Sequence, residues 1–423
     1  MPMSRVSKSL WSVLGLLLVF STYAPAQDPS VSLKDLVDEA LKNNPEILSA
    51  EAKAASASER ISQAASPADP MLSVGYQNGG FNGYTYGKSQ DSWWTLSLAQ
   101  TFPFPGKLSL QEDASVFEAQ AEKATVETMK REVAGRVSEA YFDLFLAVKE
   151  LDLIQSRKPL LAQLEKAALA RYAAGAGPQE DVIMAQAEKY MLIEKEEMAK
   201  RRVESIKAML NRVVGRGASV PIGRPVETPA TPFHYTLQEL LDKANTQSSE
   251  LIMQQRLILA SDKKLSRSMK EAWPDVTLAA SYFNRGNGFD DMWALTASVP
   301  LPIFYKSKQG AGIAEAAWNL AAARRELDSA RFRIESDIRD NLAMVNASER
   351  VMELYKNALI PKARQDIDAA LAQYSSGKME AASALAKLKA PFDYELTSWQ
   401  QYAEHEKAIV RIKVLTGEME DKQ

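Results

Sequence analysis

The chain has 423 residues, 46% of them hydrophobic and 25% charged, with a formal net charge of -3. It contains no cysteine, which excludes disulfides, thiolate metal ligands, a cysteine nucleophile and a lipid attached to an N-terminal cysteine. The slight charge of mixed sign lacks the basic footprint of a nucleic-acid binder, so no nucleic acid is expected as a partner.

Arg5 and Lys8 precede an apolar run from Leu10 to Phe20, and Ala24-Pro25-Ala26 is a small-x-small site. Residues 1–26 therefore read as a signal peptide cleaved before Gln27; the apolar run is too short to be a membrane span. No other stretch reaches spanning length. The mature chain is thus a soluble exported protein or an outer-membrane β-protein, whose strands give only a weak hydropathy signal.

Leu33, Leu36, Val37, Ala40 and Leu41 share one stripe, which predicts a short helix with Ser32 as its N-cap. Beyond Asn43-Asn44-Pro45 an Ala-rich helix runs from Glu46 to Ser66 and ends at Pro67. Pro70 opens a different period. Leu72, Val74 and Tyr76 alternate with Ser73, Gly75 and Gln77, and Trp94, Leu96 and Leu98 alternate with Thr95, Ser97 and Ala99. These patterns predict strands over about 71–77 and 93–102, joined as a hairpin by a Gly/Asn/Tyr loop. After Phe102-Pro103-Phe104-Pro105, the span from Lys107 to Lys158 holds no proline and only Gly135. As a helix it is about 78 Å long, and about 100 Å if it continues to Tyr172. Such a helix must belong to a coiled coil or an elongated bundle. Arg171-Tyr172-Ala173-Ala174-Gly175 turns the chain into a return helix from about Gln179 to Arg212, completing a helical hairpin over about 107–212. A Gly/Pro-rich linker, 215–232, follows.

The same order then recurs. Leu33, Leu36, Ala40, Glu46 and Pro70 reappear 204 positions later as Leu237, Leu240, Ala244, Glu250 and Pro274. Phe102-Pro103-Phe104-Pro105 returns 197 later as Val299-Pro300-Leu301-Pro302, and Pro159, Tyr172 and Gly175 return 202 later as Pro361, Tyr374 and Gly377. Alternation predicts strands over about 276–283 and 292–299, followed by a helical hairpin over about 306–416. The chain divides into a first structural repeat, 27–214, the linker, and a second repeat, 233–423. The period is too long for a solenoid and indicates a duplicated architectural unit.

Four amphipathic strands that face lipid need closed edges, because unsatisfied backbone groups are not tolerated in hydrocarbon. Closed membrane barrels begin at about eight strands, so one chain cannot close a barrel alone and the membrane reading requires an oligomer. Trp93, Trp94 and Trp293, near strand ends, fit an aromatic girdle, though tryptophan in a soluble core is just as ordinary.

The chain resembles the TolC family of outer-membrane efflux proteins along nearly all of its mature length. The resemblance rests on Leu-x-x-Leu-Val-x-x-Ala-Leu-x-x-Asn-Pro-Glu-Ile from Leu33 to Ile47, and on Gln100-Thr101-Phe102-Pro103-Phe104-Pro105-Gly106-Lys107. Arg171 to Gly175 followed by Asp181-Val182, and Val299-Pro300-Leu301-Pro302-Ile303-Phe304, complete it. It implies a mainly α chain with a membrane β-barrel portion, in which a unit of two strands plus a long helical hairpin is duplicated. The implied assembly is a homotrimer: a twelve-stranded barrel in outer-membrane lipid, continued by a twelve-helix periplasmic tunnel. The implied partners are a periplasmic adaptor protein and an inner-membrane efflux pump, with no cofactor. The Phe-Pro-x-Pro-Gly-Lys exit is more similar to the heavy-metal efflux branch than to the type I secretion branch.

By the same resemblance Arg171, Tyr172, Gly175, Asp181, Tyr374, Gly377 and Lys378 belong to the periplasmic tip that meets the adaptor. Ser383 stands where some relatives carry a pore-facing aspartate, and Lys387 is close by in sequence, so both are candidates for a pore constriction. Lys378, Lys387 and Lys389 make that constriction basic or neutral. Gly175 and Gly377 also have a local reason, since they allow a positive φ where a helix stops and reverses. Tyr172 and Tyr374 fit either interhelical packing or a gating contact, and Asp181 fits an early-turn carboxylate favoured by the helix dipole. His234 falls in the linker, and His405, flanked by Glu404 and Glu406, reads as part of a solvated face rather than a metal site. The acidic residues along the helices read as surface charge, and Met184, Met191 and Met198 as helix-packing residues. No hydrolase or phosphate-loop motif occurs, so no enzyme is expected. The competing reading is a soluble periplasmic coiled-coil scaffold or adaptor without a pore.

Overall fold

A computed structural model describes residues 30–286 and 288–418. The expected signal peptide and its cleavage site lie outside the described residues. The first repeat comprises β1 (Ser30–Val31), α1 (Leu33–Asn43), α2 (Pro45–Ala65), β2 (Met71–Gln77), β3 (Trp93–Phe102), α3 (Lys107–Ala173) and α4 (Gln179–Val214). β4 (Arg224–Pro225) pairs with β1 beside the linker. The second repeat comprises α5 (Leu237–Gln247), α6 (Ser249–Lys270), β5 (Val276–Asn284), β6 (Met292–Ser298), α7 (Gln309–Leu354), a π turn (Tyr355–Leu359), α8 (Ile360–Ser375) and α9 (Ala381–Thr416).

Local chemistry sets the entry to each repeat. Ser32 caps α1 by accepting from the Asp35 amide, and Thr236 and Glu239 form a capping box on α5. Asn44 closes α1 and opens α2: its Oδ1 accepts from the Glu46 amide at 2.8 Å while its Nδ2 donates to the Val213 carbonyl at 2.6 Å. That buried amide ties the short helices to the far end of α4.

The long helices cross a mid-length core of Leu36, Ile47, Val137, Tyr141, Leu144, Phe145 and Leu210, and a second of Leu240, Leu251, Ile338 and Ile412. The linker is strapped across this level by Thr231, whose amide and hydroxyl both donate to Glu406, at 2.8 and 2.7 Å. Here the solvated-face reading of His405 is corrected. His405 is fully buried, with Nδ1 3.0 Å from Glu406 and Nε2 3.3 Å from Glu349. Burial disfavours its charged form, but the two carboxylates outweigh that and raise its pKa. The sequence pattern missed this because the carboxylate at 349 comes from another helix.

α3 runs unbroken for 67 residues through Pro159, about 100 Å at the α-helical rise. The span expected to match it in the second repeat is not continuous. It stops being α-helical at the π turn, two residues before Pro361. Proline lacks an N–H and crowds the preceding turn, and a wider turn relieves that crowding. Pro159 is tolerated within α3, so the proline alone does not dictate the break.

The strands form one antiparallel sheet in the order β2-β3-β5-β6. The central pair joins the repeats, with Phe102 opposite Val276 and Trp94 opposite Asn284. One face carries Leu72, Val74, Leu96, Leu98, Leu278, Tyr282, Trp293 and Leu295, all exposed. The other carries mostly small and polar residues, among them Ser73, Gly75, Ser97, Thr101, Thr277, Ser281 and Thr296, with Met71 at one end and Trp93, Phe283 and Met292 at the other. The helices below keep the same lateral order, α2 on α3, α3 on α6, and α6 on α7. Toward the hairpin turns α4 packs on α3, α3 on α9, and α9 on α8.

Sheet and helices meet at a buried lysine. Lys107, the first residue of α3, places Nζ 3.1 Å from Glu271 and 2.8 Å from Asp275, and Asp275 also accepts from the Phe104 amide at 2.8 Å. Phe104 stacks on Trp273 at 5.4 Å. The exit of the first repeat is thereby fixed to the entry of the second. Replacing Lys107 by methionine removes the shared cation and sets an apolar stem beside both carboxylates, leaving Glu271 only Arg267 at 3.5 Å and Asp275 only the Phe104 amide. Because both carboxylates reach water, the expected loss is about 2 kcal/mol rather than the larger cost of a fully buried pair. A thermal melt or urea titration that moves by less than about 0.5 kcal/mol sinks this account.

Candidate functional site: the hairpin tip

Each hairpin ends in the same backbone device. In the first, the Ala176 amide donates to the Arg171 carbonyl at 2.8 Å and Gly175 takes φ 68°. In the second, the Lys378 amide donates to the Gln373 carbonyl at 2.9 Å and Gly377 takes φ 75°. Both close the last helical carbonyls around a left-handed residue, which glycine adopts without a Cβ penalty. Gly175 has open space around an added Cβ, so φ alone selects glycine there.

Three of the sequence candidates meet between the two turns. The Arg171 guanidinium lies 4.7 Å from the centre of the Tyr374 ring and donates to the Tyr374 carbonyl at 3.1 Å. It also donates to the Ala176 carbonyl at 3.2 Å, within its own turn. The Tyr374 hydroxyl donates to Asp181 at 3.0 Å, and Arg171 stands 4.0 Å from the same carboxylate. One cation, one ring and one carboxylate thus bind the second hairpin to the first. Tyr374 is 0% exposed, packed with Leu164, Ala168, Val182, Ala384 and Leu388. Burial, then the bond to Asp181, push its hydroxyl up to about 12.

The remaining candidates are not part of this cluster. Tyr172, the repeat partner of Tyr374, is 47% exposed. The duplication preserved its position but not its environment. Lys378 and Ser383 are exposed. Lys387 lies 3.5 Å from Asp366, an exposed pair. Met184 packs on the tip core, whereas Met191 and Met198 are exposed on α4, which corrects their reading as packing residues within one chain.

Above the tip the surface-charge reading of the acidic residues is also corrected. Glu188 and Glu196 are buried on α4. Glu188 accepts from Lys389 at 2.8 Å and faces Arg157 at 3.7 Å, and Glu196 pairs with Lys158 and Lys200. A signal for them existed: both fall in the stripe of Val182, Ala185, Leu192, Ala199 and Val203, the face α4 turns inward. Among the described residues no group of three or more His, Cys, Asp and Glu is placed to hold a metal ion, and no helix is long and apolar enough to cross a membrane.

Residues 36–216 match the family Outer membrane efflux protein. The chain is 24% identical over 396 residues to Outer membrane protein TolC of Escherichia coli (strain K12), covering 88% of this chain and 78% of that protein. In fold it is similar to the transmembrane channel protein CusC, with TM-score 0.78 at 15% identity over 95% of this chain and 96% of that one. It is similar too to the outer membrane protein VceC of Vibrio cholerae, with TM-score 0.77 at 17% identity over 91% and 96%. The family match spans the first repeat, the similarity to TolC continues through the second, and the fold is shared from end to end, so this chain is similar to outer-membrane efflux proteins along nearly its whole length.

Proposed function

We propose that this chain is the outer-membrane channel of a tripartite efflux system, a passive conduit from pump and periplasm to the exterior. The observation that carries the reading is the sheet: two open edges, one apolar face, one small and polar face, continued by helices in the same lateral order. In lipid the apolar face is solvated and the polar face lines water, but the edges must pair. Four strands cannot close, and three copies supply twelve. Each level below the sheet has four helices per chain, so three copies also supply a twelve-helix wall. Trp318 and Phe332, exposed on the outermost helix α7, are covered by the neighbouring copy. A soluble scaffold would instead leave the apolar face of the sheet in water, an exposed patch that demands a partner.

The turns form the periplasmic end that meets an adaptor and, through it, an inner-membrane pump. Arg171, Tyr374 and Asp181 hold that end shut by tying the second hairpin to the unbroken α3. The second hairpin is the one built to bend. It carries the π turn and Pro361 on one limb and Pro391 on the other. Exposed Lys378 and Ser383, with the neutralised Lys387, line a basic or neutral constriction.

Protein extracted from outer membranes and weighed by light scattering, corrected for detergent, should give the mass of three chains. A monomer or dimer, or release without detergent, would bring the scaffold forward. Tyr374→Phe keeps the ring over Arg171 and removes only the bond to Asp181. Conductance in planar bilayers should rise severalfold, and an unchanged closed level would refute the latch. Because the folded hydroxyl is raised from 10.0 to about 12, the bond is intact below the unfolded value and lost as pH climbs through that interval. Wild-type conductance should therefore increase across that alkaline window and not across neutral pH. Reversal potentials under a salt gradient should show no strong cation preference, and Lys378→Glu should shift them toward cations; a strongly cation-selective parent channel would contradict a basic or neutral constriction.

A further inference from the structure

A buried cation on α3 has donors that the fold does not use. Arg157 is 8% exposed, and its Nη2 has no hydrogen-bond partner among the described residues. The carboxylate it faces, Glu188 of α4, stands 3.7 Å away and is already held by Lys389 of α9 at 2.8 Å. Two cations thus share one buried carboxylate. Burying a charge with its hydrogen bonds unmade costs free energy that an incoming acceptor recovers.

Arg157 lines a cavity of about 510 Å³ between α3, α4 and α9, a size suited to a small molecule. Met191 and Met198 line its α4 side, and Phe392 and Leu396 its α9 side. The two methionines pack on no core within the chain, and here they form one wall, where a thioether adapts to the shape of a ligand. The Arg157 guanidinium lies 5.5 Å from the centre of the Phe392 ring. Lys195, Arg201 and Arg202 line the cavity against Glu150, Glu194 and Asp393. Those charges balance, so the buried guanidinium carries the excess.

We infer that this cavity binds a small amphipathic organic anion, with its carboxylate on Arg157 and its apolar body between the two methionines and Phe392. A guanidinium meets a planar carboxylate through two parallel N–H···O bonds, which an ammonium cannot reproduce. α3 is flanked by α4 and α9 of its own chain, so the site is complete within one chain. The inference therefore goes beyond the channel reading and does not depend on the number of copies.

The test uses full-length protein extracted from outer membranes. It is dialysed to equilibrium against ibuprofen, a small aromatic carboxylate, and in parallel against the uncharged amide of ibuprofen, each corrected for uptake by detergent alone. Ibuprofen should bind saturably, at one site per chain, and at least about tenfold more tightly than the amide, the worth of one charge-assisted pair. Arg157→Met should abolish that preference. Because Arg157 is buried, a second variant separates lost binding from lost folding. Met198→Asp, at an exposed position on the cavity wall, sets a negative charge against the anion and should weaken ibuprofen by about tenfold or more. Met209→Asp, exposed on the same helix outside the cavity, should leave binding unchanged. Equal binding of the amide would mark an apolar face for a protein segment and overturns the anion site. No saturable binding, or binding that survives Met198→Asp, overturns it too. None of these readouts uses mass or conductance, so their failure leaves the channel reading standing.

Discussion

Unsatisfied backbone hydrogen bonds at two strand edges are the constraint on which the rest of this molecule depends. A sheet with Leu and Trp on one face and Ser, Thr and Gly on the other is at home between lipid and water only when no edge remains open. The requirement excludes a lone chain, because four strands cannot close, and it ties the helices to the strands. Their lateral order follows that of the strands, so whatever closes the barrel closes the wall beneath it. A conduit of this kind is a consequence of edge satisfaction more than of any specialised residue.

A wall about 100 Å long and one helix thick cannot be held by a deep apolar core. The structure compensates with charges buried where helices cross. Lys107 between Glu271 and Asp275 fixes the sheet to the helices, His405 and Glu406 hold the linker strap at mid-length, and Glu188 with Lys389 secures the lower wall. Buried ion pairs add modest net stability, but removing one partner is costly, so they fix which helix meets which. Small residues contribute the rest. Ala114, Ala121 and Ala124 on α3, and Ala50, Ala54 and Ala57 on α2, are all buried and let the helices approach closely.

Duplication supplied two similar hairpins, and their differences matter more than their likeness. α3 passes through Pro159 as one helix, while its counterpart breaks into a π turn. Tyr374 is buried under Arg171, while Tyr172 faces outward. One hairpin is a strut and the other a jointed limb, and the tip contacts cross from limb to strut.

Much of this was legible in the sequence, because local periodicity reports local geometry. Alternation at Leu72, Val74 and Tyr76 marks a two-faced strand, the long proline-poor span marks a helix that no compact core accommodates, and glycine at 175 and 377 marks reversal by its free φ. Spacing also put Arg171, Asp181 and Tyr374 within a few residues of the turns. That they touch was not legible, since the partners lie about 200 positions apart and meet only when the hairpins pack. The same holds for His405, which beside Glu404 and Glu406 resembles solvated charge; Glu188 lies in the apolar stripe of α4, but its partner Lys389 comes from another helix. The sequence by itself determined the elements, their duplication and the faces each presents, all properties of a few consecutive residues. The tertiary structure alone decided which cation meets which buried carboxylate, which tyrosine is buried and which helix breaks before its proline, because each depends on what a distant segment brings alongside.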